Sequence, residues 1–146
     1  MGLAIEEAEK GYRLAEVPVG AVLVGGDGQV LSRAHNTPIT SNDPTAHAEI
    51  LAIRSAASKV GNYRLPETAV YVTLEPCAMC VGALLHARVR RLVFGARDPR
   101  SGAAGSILDL TGIGCFNHRI EVTGGVLAES CAEILHRFFE ERRTWK

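Results

Sequence analysis

The chain has 146 residues, 16 basic against 16 acidic, and 47% of them are hydrophobic. That length suffices for one domain with a substantial core, and the balanced charge excludes a polybasic chain while leaving room for a local basic patch. No apolar run approaches the length of a membrane span and no basic-then-apolar presequence opens the chain, so the expectation is a cytoplasmic protein with no membrane partner.

Residues 3–15 read as an amphipathic helix. Leu3, Ala4, Ala8, Gly11, Tyr12 and Ala15 recur at helical spacing, with Glu6, Glu7, Lys10 and Arg13 between them. A helix starting this close to Met1 suggests that a short preceding segment is missing. Val19–Val24 reads as an apolar strand, Gly25-Gly26-Asp27-Gly28 as a hairpin turn, and Gln29–Ala34 as the returning strand. A glycine-rich phosphate loop would open a helix instead of joining two strands.

Asn36–Asn42 reads as a loop. Asp43 as N-cap and Pro44 at the first helical position then predict a helix to about Ser58. Ala69–Leu74 is a β-branched strand, Pro76 opens a helix to about Ala87, and Arg91–Phe94 is another strand. Residues 97–118 form a long glycine-containing loop, Arg119–Thr123 a last strand, and Leu127 to about Arg143 a closing helix. Strands alternating with helices, without linker or repeat, imply one α/β/α sandwich over residues 1–146.

Two fragments carry chemistry: His47-Ala48-Glu49 and Pro76-Cys77-Ala78-Met79-Cys80. A Cys-x-x-Cys pair in a chain without a secretion signal points to metal or redox chemistry more than to a structural disulfide. Cys77 and Cys80 share a helix face, and the positive end of that helix favours their thiolates. His47 supplies a third ligand. Three protein ligands leave a zinc ion one position for water, and a carboxylate at Glu49 can move that water's protons. Residues two apart in mid-helix diverge, so His47 and Glu49 converge only if the site lies beyond the helix end. The picture is two helix N-termini facing one ion.

Two alternatives stand beside this. A structural zinc site needs a fourth ligand, for which Cys115, in a loop after Gly-Ile-Gly, is a candidate. Cys131 is at helical spacing with Leu127, Ile134, Leu135 and Phe138 and reads as core. A thiol redox pair would leave His47 and Glu49 without a role. His86 reads as a packing residue and His35 and His136 as exposed or half-buried. Glu75 reads as a solvated acid or a cap for the helix after Pro76.

His-x-Glu paired with Pro-Cys-x-x-Cys is the described signature of zinc nucleobase deaminases. Longer segments narrow the resemblance: Glu16–Val22, Asn36, Asp43–Ile50, Asn62–Leu65, Tyr71–Cys77, Val93–Asp98, Gly102–Ser106, Asn117–Arg119, and Phe138-Phe139 with Arg142-Arg143. Over nearly its whole length the chain resembles the bacterial tRNA-specific adenosine deaminases of the cytidine deaminase-like superfamily.

That resemblance implies a three-layer sandwich on a five-stranded mixed sheet, one zinc per subunit, no organic cofactor, and a homodimer. It implies deamination of adenosine to inosine at wobble position 34 of an arginine tRNA with anticodon ACG. It further implies zinc on His47, Cys77 and Cys80, Glu49 as proton shuttle, and Asn36 on a flipped base. Asp98 would touch a neighbouring ribose, with Phe139, Arg142 and Arg143 along the anticodon stem-loop.

The residues themselves say less. Arg137, Arg142, Arg143 and Lys146 suit phosphates, or equally a solvated helix end, and Arg88, Arg90 and Arg91 share the ambiguity. Gly102–Ser106 reads as a phosphate cradle or as close backbone packing, and Asn117-His118-Arg119 as a structured turn. A free-base deaminase for guanine or cytosine, and a non-enzymatic zinc-stabilised RNA-binding module, remain alternatives.

Overall fold

In the computed structural model, residues 1–145 are described; Lys146, assigned above to the basic helix end, lies outside the described residues. The hairpin forms where the glycines predict it. Strands β1 (Gly20–Val24) and β2 (Val30–His35) pair antiparallel around Gly25–Gly28, and Gly28 takes the left-handed φ of 84° that the turn requires. On its other edge β1 pairs antiparallel with β3 (Ala69–Leu74), which pairs parallel with β4 (Arg91–Ala96), and β4 with β5 (Glu121–Thr123). The result is a five-stranded mixed sheet in the order β2-β1-β3-β4-β5.

Helices cover both faces, because the central strands are apolar on both sides. Helix α1 (Gly2–Arg13) and the closing helix α5 (Ala128–Thr144) touch each other, α1 lying on β1 and β2 and α5 on β4. Helix α3 (Ala48–Val60) packs on β1 and β2 and also touches α4 (Ala78–His86). Between the layers lie Leu23, Val70, Val72, Leu84, Leu92 and Phe94, all essentially buried. Cys131 is buried against Gly95 of β4, in the core as its spacing indicated. No described helix is long and apolar enough to cross a membrane.

Four expectations need correction. The segment Asn36–Asn42 is not all loop, since Pro38–Ser41 forms a short helix, α2. Its first amides are satisfied from far away: the Glu16 carboxylate accepts from Ile39 N–H at 3.3 Å and from Thr40 N–H at 2.6 Å.

The helix predicted from Asp43-Pro44 starts at Ala48 instead. Asp43 Oδ1 accepts from the N–H and hydroxyl of Thr45 at 2.9 and 2.7 Å, which closes a local turn with the same chemistry as a helix cap. Thr37 N–H then bonds Ala46 O at 3.0 Å and ties the end of this turn to the start of α2, so that the helix begins only after His47. Likewise α4 starts at Ala78 with Cys77 as its N-cap, two residues after Pro76. Finally, His86 is exposed at the end of α4 and packs no core.

The contact between α1 and the sheet is tightest at Gly20. A Cβ there would overlap the Ala4 carbonyl oxygen and crowd the Ala8 amide, both helix backbone. Gly20→Ala is therefore expected to lift α1 from the sheet and to cost about 1–3 kcal/mol, the usual range for overpacking. A lowered urea midpoint with an unchanged slope would register it.

Candidate active site

His47 and Cys77 are the N-cap residues of α3 and α4, both extended, with ψ of 152° and 175°. An N-cap projects off the helix end, which resolves the divergence of His47 and Glu49: the first stands outside the helix and the second within its first turn. Cys80 sits one turn after Cys77 on the same face.

The three side chains meet. His47 Nδ1 lies 3.7 Å from Cys77 Sγ and 3.5 Å from Cys80 Sγ. Tetrahedral zinc with ordinary Zn–S and Zn–N lengths separates nitrogen and sulfur ligands by about 3.6 Å, so the donors are spaced as zinc requires. Among the described residues these form the one His/Cys/Asp/Glu cluster with metal-ligand spacing, and it has three members. Cys115 is exposed and Cys131 is in the core, so neither closes the site with a fourth ligand.

Glu49 is buried beside this centre, and burial pushes its carboxyl up to about 7. A hydrogen bond from Cys80 and the nearby His47 pull the Cys77 thiol down to about 4, while Cys80 is pushed up by Cys77 and by burial. Without metal the pair thus shares a proton. Nδ1 of His47 faces both sulfurs, which leaves Nε2 to carry the ring proton once Nδ1 is a ligand.

The profile of the cytidine and deoxycytidylate deaminase zinc-binding region matches residues 1–96. The chain belongs to that family. It is 50% identical over 146 residues to a tRNA-specific adenosine deaminase of Haemophilus influenzae, covering 100% of this chain and 84% of that one. It is 47% identical over 143 residues to the Bacillus subtilis protein of the same name, covering 98% and 88%.

Among solved structures, one from work on A-to-I editing by tRNA:A34 deaminases superposes with a TM-score of 0.89 at 46% identity, over 92% of this chain and 97% of that one. A guanine deaminase from Nitrosomonas europaea superposes with a TM-score of 0.82 at 25% identity, over 94% and 81%. The zinc-binding deaminase fold read from the sequence is thus the fold present, and His47, Cys77 and Cys80 are positioned to bind the ion.

The deaminase has a pocket of about 300 Å³ at this centre, lined by His47, Glu49, Cys77, Asn36, Glu75 and Asp98 among others. Asn36 is buried, and its Oδ1 accepts the Ala48 N–H at 2.8 Å. That bond fixes the amide: its oxygen serves the start of α3, and its NH₂ remains as donor. Asp98 Oδ1 is committed to the N–H groups of Arg100 and Ser101 at 2.9 and 3.2 Å.

A groove of about 750 Å³ adjoins the pocket and shares Val17, Leu74, Asp98 and Ser101 with it as common lining. Phe139 and Arg143 line the groove, and Phe139 is 45% exposed.

Arg142 is placed differently from Arg143. It stacks over the Phe138 ring at 4.3 Å and donates to Ala15 O at 2.5 Å, so it ties α5 to the end of α1. The other arginines are also engaged. Arg137 pairs with Glu9 at 3.0 Å, Arg90 with Glu67 at 2.6 Å, and Arg91 with Glu121 at 3.6 Å, while Arg88 donates to Leu85 O at 3.4 Å.

Gly102, Ala103 and Ala104 are buried, the packing alternative for that segment. His118 Nε2 bonds Val89 O at 2.7 Å, which ties its segment to the chain between α4 and β4. Two acidic residues of the pocket, Glu16 and Glu75, have no role at the site that the sequence indicates. Glu75 is buried, contrary to the solvated reading. The hydrogen-bond donors to their carboxylates lie 23 or more residues away, so no local pattern announces them.

Zinc uptake must expel the proton shared by Cys77 and Cys80, so affinity falls on acidification. Competition against a chelator should show weaker zinc retention at about pH 6 than at about pH 8. Cys80→Ser should lose stoichiometric zinc in elemental analysis and melt at a lower temperature.

Proposed function

We propose that this chain is a single-domain, zinc-dependent tRNA adenosine deaminase, a hydrolase acting on wobble adenosine 34 of an arginine tRNA with anticodon ACG. Water is consumed, inosine forms and ammonia leaves. One observation carries the choice of a polymer substrate. The small pocket at the metal centre lies beside a larger groove, lined in part by the same residues, with an exposed aromatic and an arginine on its wall. A free base would fill the pocket and leave the groove unused, whereas an anticodon loop offers an unpaired base for the one and flanking nucleotides for the other. Identity supports the same reading, at 41–50% to tRNA deaminases against 25–32% to guanine deaminases.

His47, Cys77 and Cys80 would hold a zinc ion, whose chemistry there would be to polarise a water so that hydroxide is available near neutral pH. The protein's own part is proton movement and orientation. Glu49, with a carboxyl at about 7, populates both protonation states near neutrality. It accepts the proton that leaves the water and passes protons to the ring nitrogen and the departing amino group.

Asn36 presents its NH₂ to a ring-nitrogen acceptor of the base. Asp98 has a second carboxylate oxygen for a ribose hydroxyl. Phe139 offers a stacking face and Arg143 a phosphate contact. Arg142 holds the helix that carries them. The protein acts in the cytoplasm as a homodimer with the tRNA anticodon stem-loop as its partner.

Glu49→Ala should keep its zinc and lose at least about 10²-fold in activity, the scale of a positioned acid–base group. Near-normal turnover by the zinc-loaded variant would remove Glu49 from the chemistry. The substrate is tested by inosine formation on the arginine tRNA, with free adenosine, guanine, cytosine and cytidine run alongside for ammonia release. Inosine at position 34 with inert small substrates is expected; a silent tRNA with a reacting base would transfer the mechanism to a free-base enzyme. The double change Phe139→Ala with Arg143→Ala should raise KM for tRNA at unchanged zinc content.

A further inference from the structure

Glu75 directly follows β3, the strand that leads to the metal-binding cysteines, and its carboxylate meets Ser106 and Gly102. Its side chain is 0% exposed. Oε1 accepts a hydrogen bond from Ser106 Oγ at 2.7 Å and lies 3.7 Å from Arg97 Nη1. Oε2 is buried without a hydrogen-bond partner and rests against Gly102 so closely that any Cβ there would overlap it.

The backbone is laced together at the same place. Glu75 N–H donates to Ala96 O at 2.8 Å, Ala103 N–H to Pro76 O at 2.9 Å, and Gly102 N–H to Asp98 O at 3.0 Å. The segment held in this way carries Asp98 and Ser101, both of which line the pocket and the groove.

A buried carboxylate with an unpaired oxygen is a poor way to gain stability, since an apolar side chain would fill the space without that cost. What the carboxylate supplies is direction. The bond from Ser106 ties the far end of residues 97–106 to it, and at Gly102 the chain passes over it with no room for a Cβ.

We infer that Glu75 is a positioning residue for the substrate rim: through Ser106 and Gly102 it fixes the loop so that Asp98 and Ser101 face the pocket mouth. It takes no part in the chemistry at the base. The inference rests on the tRNA deaminase reading for its kinetic arm alone.

Three variants test it: Glu75→Ala, Glu75→Gln and Ser106→Ala, each zinc-loaded and otherwise full-length. On tRNA, Glu75→Ala and Ser106→Ala should each raise KM by about tenfold, as expected for one hydrogen bond to a charged group, with kcat little changed. Glu75→Gln keeps an acceptor for Ser106 and should restore KM most of the way. The double change Glu75→Ala with Ser106→Ala should be no worse than Glu75→Ala alone, because both remove one contact.

Amide exchange without RNA provides an arm independent of function. Residues 98–110 should exchange faster in Ser106→Ala, by about tenfold for the loss of such a bond, while α3 and α4 stay protected. A fall in kcat at constant KM, or loss of zinc in Glu75→Ala, would overturn the inference. So would unchanged exchange of the loop in Ser106→Ala, the variant that removes only a hydroxyl. If wild-type protein leaves tRNA unreacted while loop exchange responds as expected, the strut stands and the substrate assignment falls.

Discussion

Two thiolates and an imidazole cannot be brought together in a protein interior unless something holds their charge, and here two helix ends do so. Cys77 and Cys80 lie at the start of α4, where unpaired N–H groups and the helix dipole favour the thiolate form. His47 occupies the matching position on α3. A divalent ion balances the two thiolates, so the centre is close to neutral and can lie beside a buried carboxylate without an uncompensated excess of charge. Because His47 stands outside α3, Glu49 falls within its first turn, where the packed N-terminus excludes water and raises its carboxyl.

The sheet explains why both helix ends arrive at one place. Strands β3 and β4 run parallel, and the α4 crossover between them starts from the C-terminal end of β3. The chain leaving β3 supplies Glu75 and Cys77, and the chain leaving β4 supplies Asp98 and Ser101. Open α/β sheets bind ligands beyond the carboxyl ends of their strands for this geometric reason. The antiparallel pair β1–β2 contributes the remaining wall, because its return leads through Asn36 and α2 to the start of α3.

Local chemistry was legible in the sequence and long-range chemistry was not. Hairpin glycines, the apolar strands and the i, i+3 cysteines act within a few residues, and each was readable before the fold was known. The start of α3 misled because Asp43 satisfies Thr45 in a turn as readily as it would cap a helix, and the amide of Ala48 is taken by Asn36, twelve residues earlier. Glu75 looked like a surface acid because its partner is Ser106, 31 residues on. Arg142 looked like a groove residue beside Arg143, but adjacent helix positions point about 100° apart and only one of them faces the groove. In each case the decisive partner comes from another element, so periodicity and spacing carry no trace of it.

The two polar walls of the pocket are held by different means. Burial pushes the Glu16 carboxyl up, but hydrogen bonds from Thr40 N–H, the Thr40 hydroxyl and Ile39 N–H outweigh it and hold the group below the usual carboxylate range. It therefore stays ionised at neutral pH, and the α2 wall loses this support only on strong acidification, as the pH falls through that lowered value. Asn36 is fixed by the helix end that also carries His47. In the proposed reaction the group that reads the base and a group that holds the metal are thus coupled through one backbone N–H, that of Ala48, and a base seated on Asn36 is aligned to the centre by the same helix terminus. In that proposal, phosphate contacts along the groove would add affinity for any RNA of suitable shape. Discrimination must then come from the pocket, whose parts are positioned by bonds of fixed length between rigid elements, while the exposed Phe139 and Arg143 remain free to adapt to the loop they receive.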